Sequence, residues 1–157
     1  MKEERSALDF FHEGYSCAQS VFAANASRMG LETETALRLA AGLGAGIGRM
    51  RLTCGAFCAL VLASGYCRGN TTGSAEDKER IYALVQRLAE EFRAEFGTLS
   101  CAELLRIDPA TESTRPQERT TAYYSSRPCE RCVAFCDIAA KRLLEETAGD
   151  RITKQHK

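Results

Sequence analysis

Eight cysteines in 157 residues are the side chains most able to do chemistry. Cys17 follows Ser16, Cys54 follows Thr53, Cys101 follows Ser100 and Cys129 follows Pro128. Ser and Thr side chains accept from orphan backbone N–H groups at helix starts, and Pro fits the first turn. Each of these four thiols is therefore expected in a first helical turn. There the unpaired N–H groups and the positive end of the helix dipole favour the thiolate. The thiolate attacks, passes electrons through a disulfide, or binds metal. Four thiolates are the ligand set of a two-iron or four-iron iron–sulfur cluster and of a structural zinc. Two pairs could instead cycle between dithiol and disulfide.

The other four cysteines read differently. Cys58, Cys67 and Cys136 fall mid-helix or at a helix end on apolar faces, where free Cys behaves as a small hydrophobe. Cys58 also stands close enough to Cys54 to serve as a resolving partner. Cys129-x-x-Cys132 has the spacing of a dithiol motif, but no βαβ pattern surrounds it to suggest a thioredoxin-like fold. Cys129, Cys132 and Cys136 could also be three ligands on one helix face, at a spacing unlike the bacterial ferredoxin run.

The stretch from Gly42 to Cys67 organises the chain around Cys54. Glycine occupies every second position from Gly42 to Gly48, followed by Arg49 and Arg51. Such a loop is expected to pack closely against other backbone or to form a small anion nest. It lacks the G-x-G-x-x-G order and follows a helical pattern, so a dinucleotide site is not expected. Arg49 and Arg51 either offset charge on a thiolate centre or are solvated.

The elements that must position these residues are helices. Residues 6–29 show helical spacing with capping patterns at Ser6 and Ser16, as one helix or as two broken at Gly14. Gly30 is the expected C-cap. A short helix over Thr33–Ala41 turns Leu37, Ala40 and Ala41 inward. A buried helix starts at Thr53 and ends near Gly65. Residues 74–96 carry the clearest stripe, Ile81, Leu84, Val85, Leu88, Phe92 and Phe96, between Ser74 and Gly97. Ser100 and Glu103 form a capping box for the next helix. Residues 107–126 read as a polar loop. Pro128 opens the last helix, with Cys129, Cys132, Val133, Cys136, Ala140 and Leu143 on one face. The expected fold is all-α, a compact bundle of five to six helices. It forms one domain over residues 1–148 with a frayed tail over 149–157.

Composition narrows the function. Basic and acidic residues number 21 each, for a formal charge of zero. No basic excess draws the chain to nucleic acid. The uncharged run Leu52–Cys67 is shorter than the roughly 20 residues that span a bilayer. The charged start Met1-Lys2-Glu3-Glu4-Arg5 lacks a signal-peptide core, so a cytoplasmic chain is expected. Static disulfides are rare there, and eight cysteines then suggest metal, redox chemistry or burial. With two His, and no paired-carboxylate or Ser-His-Asp pattern, other catalytic chemistries lack residues.

Four stretches together resemble a known family. They are Gly14-Tyr15-Ser16-Cys17-Ala18-Gln19-Ser20-Val21-Phe22, Gly48-Arg49-Met50-Arg51 with Cys54-Gly55-Ala56, Cys101-Ala102-Glu103-Leu104-Leu105, and Tyr123-Tyr124 through Arg127-Pro128-Cys129. Their order and spacing resemble the C_GCAxxG_C_C family of redox-active proteins, from about Phe10 to Leu144. The resemblance places the family's four characteristic cysteines on Cys17, Cys54, Cys101 and Cys129. It maps the Cys-Gly-Ala-x-x-Gly segment onto Cys54, Gly55, Ala56, Phe57, Cys58 and Ala59. The chain departs from the family at Ala59, which replaces the final Gly, and at the added thiols of Cys58 and Cys132.

The leading expectation is a cytoplasmic electron-transfer protein. Its centre, an iron–sulfur cluster, would sit among Cys17, Cys54, Cys101 and Cys129, with Gly48, Arg49, Arg51 and Gly55 in support. A redox partner protein is implied, and association into a homodimer stays open. One alternative is a metal-free thiol–disulfide oxidoreductase, with Cys54 attacking and a neighbour such as Cys58 resolving. Another is a zinc-stabilised or Cys-rich helical interaction module.

Overall fold

Serine caps set four of the helix starts. A computed structural model describes residues 4–155; Met1-Lys2-Glu3 and His156-Lys157 lie outside them. Ser6 Oγ accepts from the Asp9 N–H, and the Asp9 carboxylate accepts from the Ser6 N–H, opening α1 (Ala7–His12). Gly14 then takes φ 100°, outside any right-handed helix. Of the two readings of residues 6–29, the break at Gly14 is the one found. A second reciprocal box, Ser16 with Gln19, opens α2 (Cys17–Ala24). This helix stops before Met29 because Asn25 turns inward. Its Nδ2 donates to the Val21 carbonyl and to Asp137 Oδ1, 2.8 Å away. A 3₁₀ turn over Ser27–Met29 then ends at Gly30, in the left-handed region as a C-cap.

In α3 (Thr33–Ala40), Ala36 and Ala40 face the core and Leu37 packs at its edge. Ala41 is exposed rather than inward, because a 3₁₀ turn beginning there rotates it off the helix face. The helix α4 (Gly55–Arg68) begins later than Thr53. Thr53 is held in an extended pairing with Ser100 instead. The Cys54 N–H donates to the Leu99 carbonyl at 2.8 Å, and the Cys101 N–H to the Leu52 carbonyl at 2.6 Å. Extended backbone at Thr53 leaves Cys54 itself as the N-cap, and α4 runs past Gly65 to Arg68.

The next helix, α5 (Ala75–Phe96), has the expected limits, with Ser74 capping it and Gly97 ending it at φ 86°. Ser100 caps α6 (Cys101–Leu105), but Glu103 turns its carboxylate to Thr98, so only half of the expected box forms. The polar stretch 107–126 is not all loop. It holds a 3₁₀ turn, Pro109–Thr111, and a short helix, α7 (Thr121–Ser125), capped by Thr120. After Pro128 the chain forms α8 (Cys129–Gln155), which continues through Gly149.

The architecture is all-α, as expected. Among the described residues there are eight helices, and the five of seven residues or more make up the expected bundle. None is long and apolar enough to cross a membrane. The helix α4 packs against α2, α8 and α5, and α2 also packs against α8. The core is filled by Val21, Phe57, Leu60, Leu88, Phe92 and Val133. Phe92 sits at its aromatic centre, with ring centroids 5.6 Å from Phe57, 4.6 Å from Phe96 and 5.8 Å from Phe135. Phe92→Ala removes that hub and leaves a cavity. The expected loss is about 3–5 kcal/mol of unfolding free energy, read as a lower urea midpoint at unchanged slope.

Candidate functional site: a thiol-lined cavity

Three of the four cap-adjacent cysteines begin helices: Cys17 is the first residue of α2, Cys101 of α6 and Cys129 of α8. Cys54 sits one step earlier, at the N-cap of α4. All four line one cavity of about 490 Å³. Cys132, one turn along α8, lines it as a fifth thiol and is 1% exposed. Cys132 is also the neighbour that acts most strongly on the Cys54 thiol. Cys58, Cys67 and Cys136 are outside the lining. Cys136 is fully buried in the core, as expected of a small hydrophobe. Cys58 is half-buried, with its Sγ 3.9 Å from the Thr53 carbonyl. All eight cysteines are free thiols.

The glycine loop forms one wall, in an uncommon conformation. Ala45, Gly46, Ile47, Gly48 and Arg49 all take positive φ, between 53° and 72°, and Arg51 follows at 58°. This is a left-handed turn, which costs an ordinary L-residue roughly 1–2 kcal/mol. Long backbone bonds hold it, from Gly48 N–H to the Gly42 carbonyl at 2.7 Å and from Leu52 N–H to the Gly46 carbonyl at 2.9 Å. Glycine is needed where other atoms come closest. A Cβ on Gly46 would lie 2.7 Å from Cys101 Cβ and 2.6 Å from Arg51 Cα. A Cβ on Gly55 would lie 2.7 Å from Cys17 Sγ. The Cys-Gly step after Cys54 thus lets two cavity thiols approach each other. Ala59, the residue in place of the family glycine, is fully buried, so its methyl is accommodated in the core.

The arginines of the loop bring positive charge. Arg51 is 4% exposed. Its Nε and Nη2 donate to Glu112 Oε2 at 3.1 and 2.8 Å, and its Nη1 lies 3.7 Å from Cys101 Sγ. Arg49 shares the same carboxylate, at 3.1 Å, and donates to the Ser113 carbonyl. Two guanidiniums therefore share one carboxylate, and the surplus positive charge faces Cys101. Arg51 is placed to offset thiolate charge, one of the two roles expected of it. Gly48 has no close neighbour, but its positive φ keeps the chain turning toward these arginines.

Desolvation outweighs the helix ends, contrary to the expectation that they would favour the thiolates. Burial pushes the Cys17 and Cys129 thiols up to about 12, and charge on neighbouring thiols adds to this. Cys54 is held well above the usual thiol range, first by its hydrogen bond with Cys132 and then by burial. Cys58 is pushed to about 11 and Cys101 is also raised, both mainly by burial. The opposing donors are present: Ala45 and Ala18 N–H at Cys17, Ala56 and Phe57 N–H at Cys54, and the Arg51 guanidinium at Cys101. They are weaker than burial combined with mutual repulsion.

Sequence reasoning missed the far wall of the cavity. Arg119 donates to the Phe11 and Tyr15 carbonyls and stacks on Tyr123. Arg127 lies 4.2 Å over the Tyr123 ring and donates to Gln117. Its place directly before Pro128-Cys129 was a usable signal. No local signal marks Glu112, whose partners lie some 60 residues earlier in the chain. Among the described residues, no three His, Cys, Asp or Glu side chains are gathered closely enough to hold a single metal ion.

An all-α bundle that draws five thiols onto one cavity defines a helical thiol-cluster protein. The chain belongs to the C_GCAxxG_C_C family, described as putative redox-active proteins, whose family model matches residues 15–146. No curated protein and no solved structure matches the chain.

The raised thiols set a pH dependence. In the reduced, metal-free protein, Cys17 and Cys129 hold their protons to about 12 when folded, against about 8.5 when unfolded. Between those values the folded chain binds more protons than the unfolded one, so stability falls as pH rises. Urea midpoints should be flat from pH 7 to about 8.5 and should then drop steadily. Replacing Cys17 and Cys129 by Ser should flatten that drop.

Proposed function

We propose that Cys17, Cys54, Cys101 and Cys129 hold one iron–sulfur centre, through which this cytoplasmic protein passes electrons to a partner protein. The observation that carries the reading is their convergence, from the starts of four helices, on a single cavity. The donor set fits the group, since four thiols are the usual ligands of such clusters. A bound cluster would supply one-electron chemistry. The chain's own contribution is charge and exclusion of water. Ala45 N–H and the Arg51 guanidinium stabilise sulfur charge at Cys17 and Cys101, and Cys54 and Cys101 are held below one-tenth exposure. These features set how readily the centre accepts an electron.

A second reading rests on Cys54 and Cys132 lining the same cavity as neighbouring thiols. Without metal, these two thiols could reduce a disulfide-bearing partner. One thiolate attacks a partner sulfur and releases the first partner thiol. The other then displaces the second, leaving a Cys54–Cys132 disulfide after transfer of two electrons. In this chemistry Cys132, rather than Cys58, is the resolving neighbour.

The test is iron and sulfide analysis of protein purified without oxygen, with Cys101→Ser compared against Cys67→Ser. Wild type and Cys67→Ser should hold iron and absorb near roughly 400 nm, while Cys101→Ser should lose most of both. Unchanged iron in Cys101→Ser contradicts the four-ligand centre. Protein with no metal, but with a Cys54–Cys132 disulfide after mild oxidation, supports the dithiol chemistry instead.

A further inference from the structure

The cavity's charge is one-sided. Arg49, Arg51, Arg119 and Arg127 line it, and no Asp or Glu among the described residues does. The chain as a whole is balanced, with 21 basic and 21 acidic residues, so composition does not produce this excess. The four guanidiniums differ in how far they are already engaged. Arg49 and Arg51 share Glu112, set back from the cavity. Arg119 has its donors on two backbone carbonyls. Arg127 has no carboxylate partner among the described residues; its contacts are Gln117 and the face of Tyr123. Cys129, two residues on, shares the cavity lining, and the Arg127 charge acts on its thiol. A cation partly withdrawn from water, with donors to spare and only the more distant Glu112, already shared by Arg49 and Arg51, as counter-charge, favours an anion from solution.

We propose that the cavity binds a small anion, a carboxylate or an oxyanion, on Arg127 next to the thiols. The volume of about 490 Å³ suits a small molecule. Gln117 and the Tyr123 hydroxyl, in the same lining, can supply further polar contacts. The arginine fork recognises a planar carboxylate or an oxyanion through paired N–H groups. Naming this anion as the substrate class of the centre rests on the redox reading above. The binding itself does not require iron.

Paired alkylating agents test it on reduced, metal-free full-length protein. Iodoacetate is an anion and iodoacetamide its neutral counterpart. Their rates at Cys129 are measured by mass spectrometry at fixed ionic strength, and their ratio is compared with that for the chain unfolded in urea. The folded protein should favour iodoacetate by about fivefold or more over the unfolded reference. Sodium sulfate should remove that preference saturably at constant ionic strength. Arg127→Gln should abolish the preference: both reagents lose the help Arg127 gives to ionising Cys129, and iodoacetate slows more than iodoacetamide. Arg127→Lys should keep most of the preference. A ratio equal to the unfolded value, a ratio unmoved by Arg127→Gln, or a loss that tracks ionic strength alone would each overturn the proposal. Iron content plays no part in the readout, so absence of a cluster would defeat the redox-centre reading while leaving this result intact.

Discussion

Thiols drawn out of water onto one cavity cannot all ionise unless positive charge stands beside them. Each thiolate formed there loses its hydration and raises the cost of the next. Cys17, Cys54, Cys101 and Cys129 show the effect together, because every one of them is held above the ordinary thiol range. Helix N–H groups and Arg51 oppose it but do not reverse it. A site of this kind is inert as a set of isolated nucleophiles. It suits chemistry that brings its own positive charge, as a thiolate-bound metal centre does, or that removes protons and electrons together, as disulfide formation does.

Much of the fold follows from the need to assemble that site. The extended pairing of Thr53 with Ser100 ties the start of α4 to the start of α6. The left-handed turn over residues 45–49 folds Arg49 and Arg51 back onto Glu112 and Cys101. Its unfavourable backbone conformation is sustained by hydrogen bonds within the loop and by glycines where atoms crowd. On the other side, Arg119 ties the segment before α7 to the carbonyls of Phe11 and Tyr15. The core behind the cavity is ordinary by comparison, a packing of Phe, Leu, Val and Ala side chains.

The sequence carried the helix starts because capping is local chemistry. Ser6, Ser16, Ser74 and Ser100 each accept the bond that their neighbours predict. The same logic selected four of the five cysteines that line the cavity. It failed by one residue at Thr53, where a long-range pairing held the backbone extended, and it overlooked α7 within a polar stretch. The charge balance of the site was less visible. Arg49 and Arg51 were suspected from their place beside the glycines, but Glu112, Arg119 and Arg127 act across the tertiary fold. The inverted thiol behaviour was hidden for a related reason. A helix end can be read locally, whereas the desolvation that defeats it depends on how everything else packs.

The most direct measurement is an anomalous difference map at the iron absorption edge, from crystals grown and handled without oxygen. The account predicts one compact iron peak bounded by Cys17, Cys54, Cys101 and Cys129, with Arg51 still on Glu112. A map without iron there, or with Cys54 and Cys132 joined as a disulfide in its place, would contradict it.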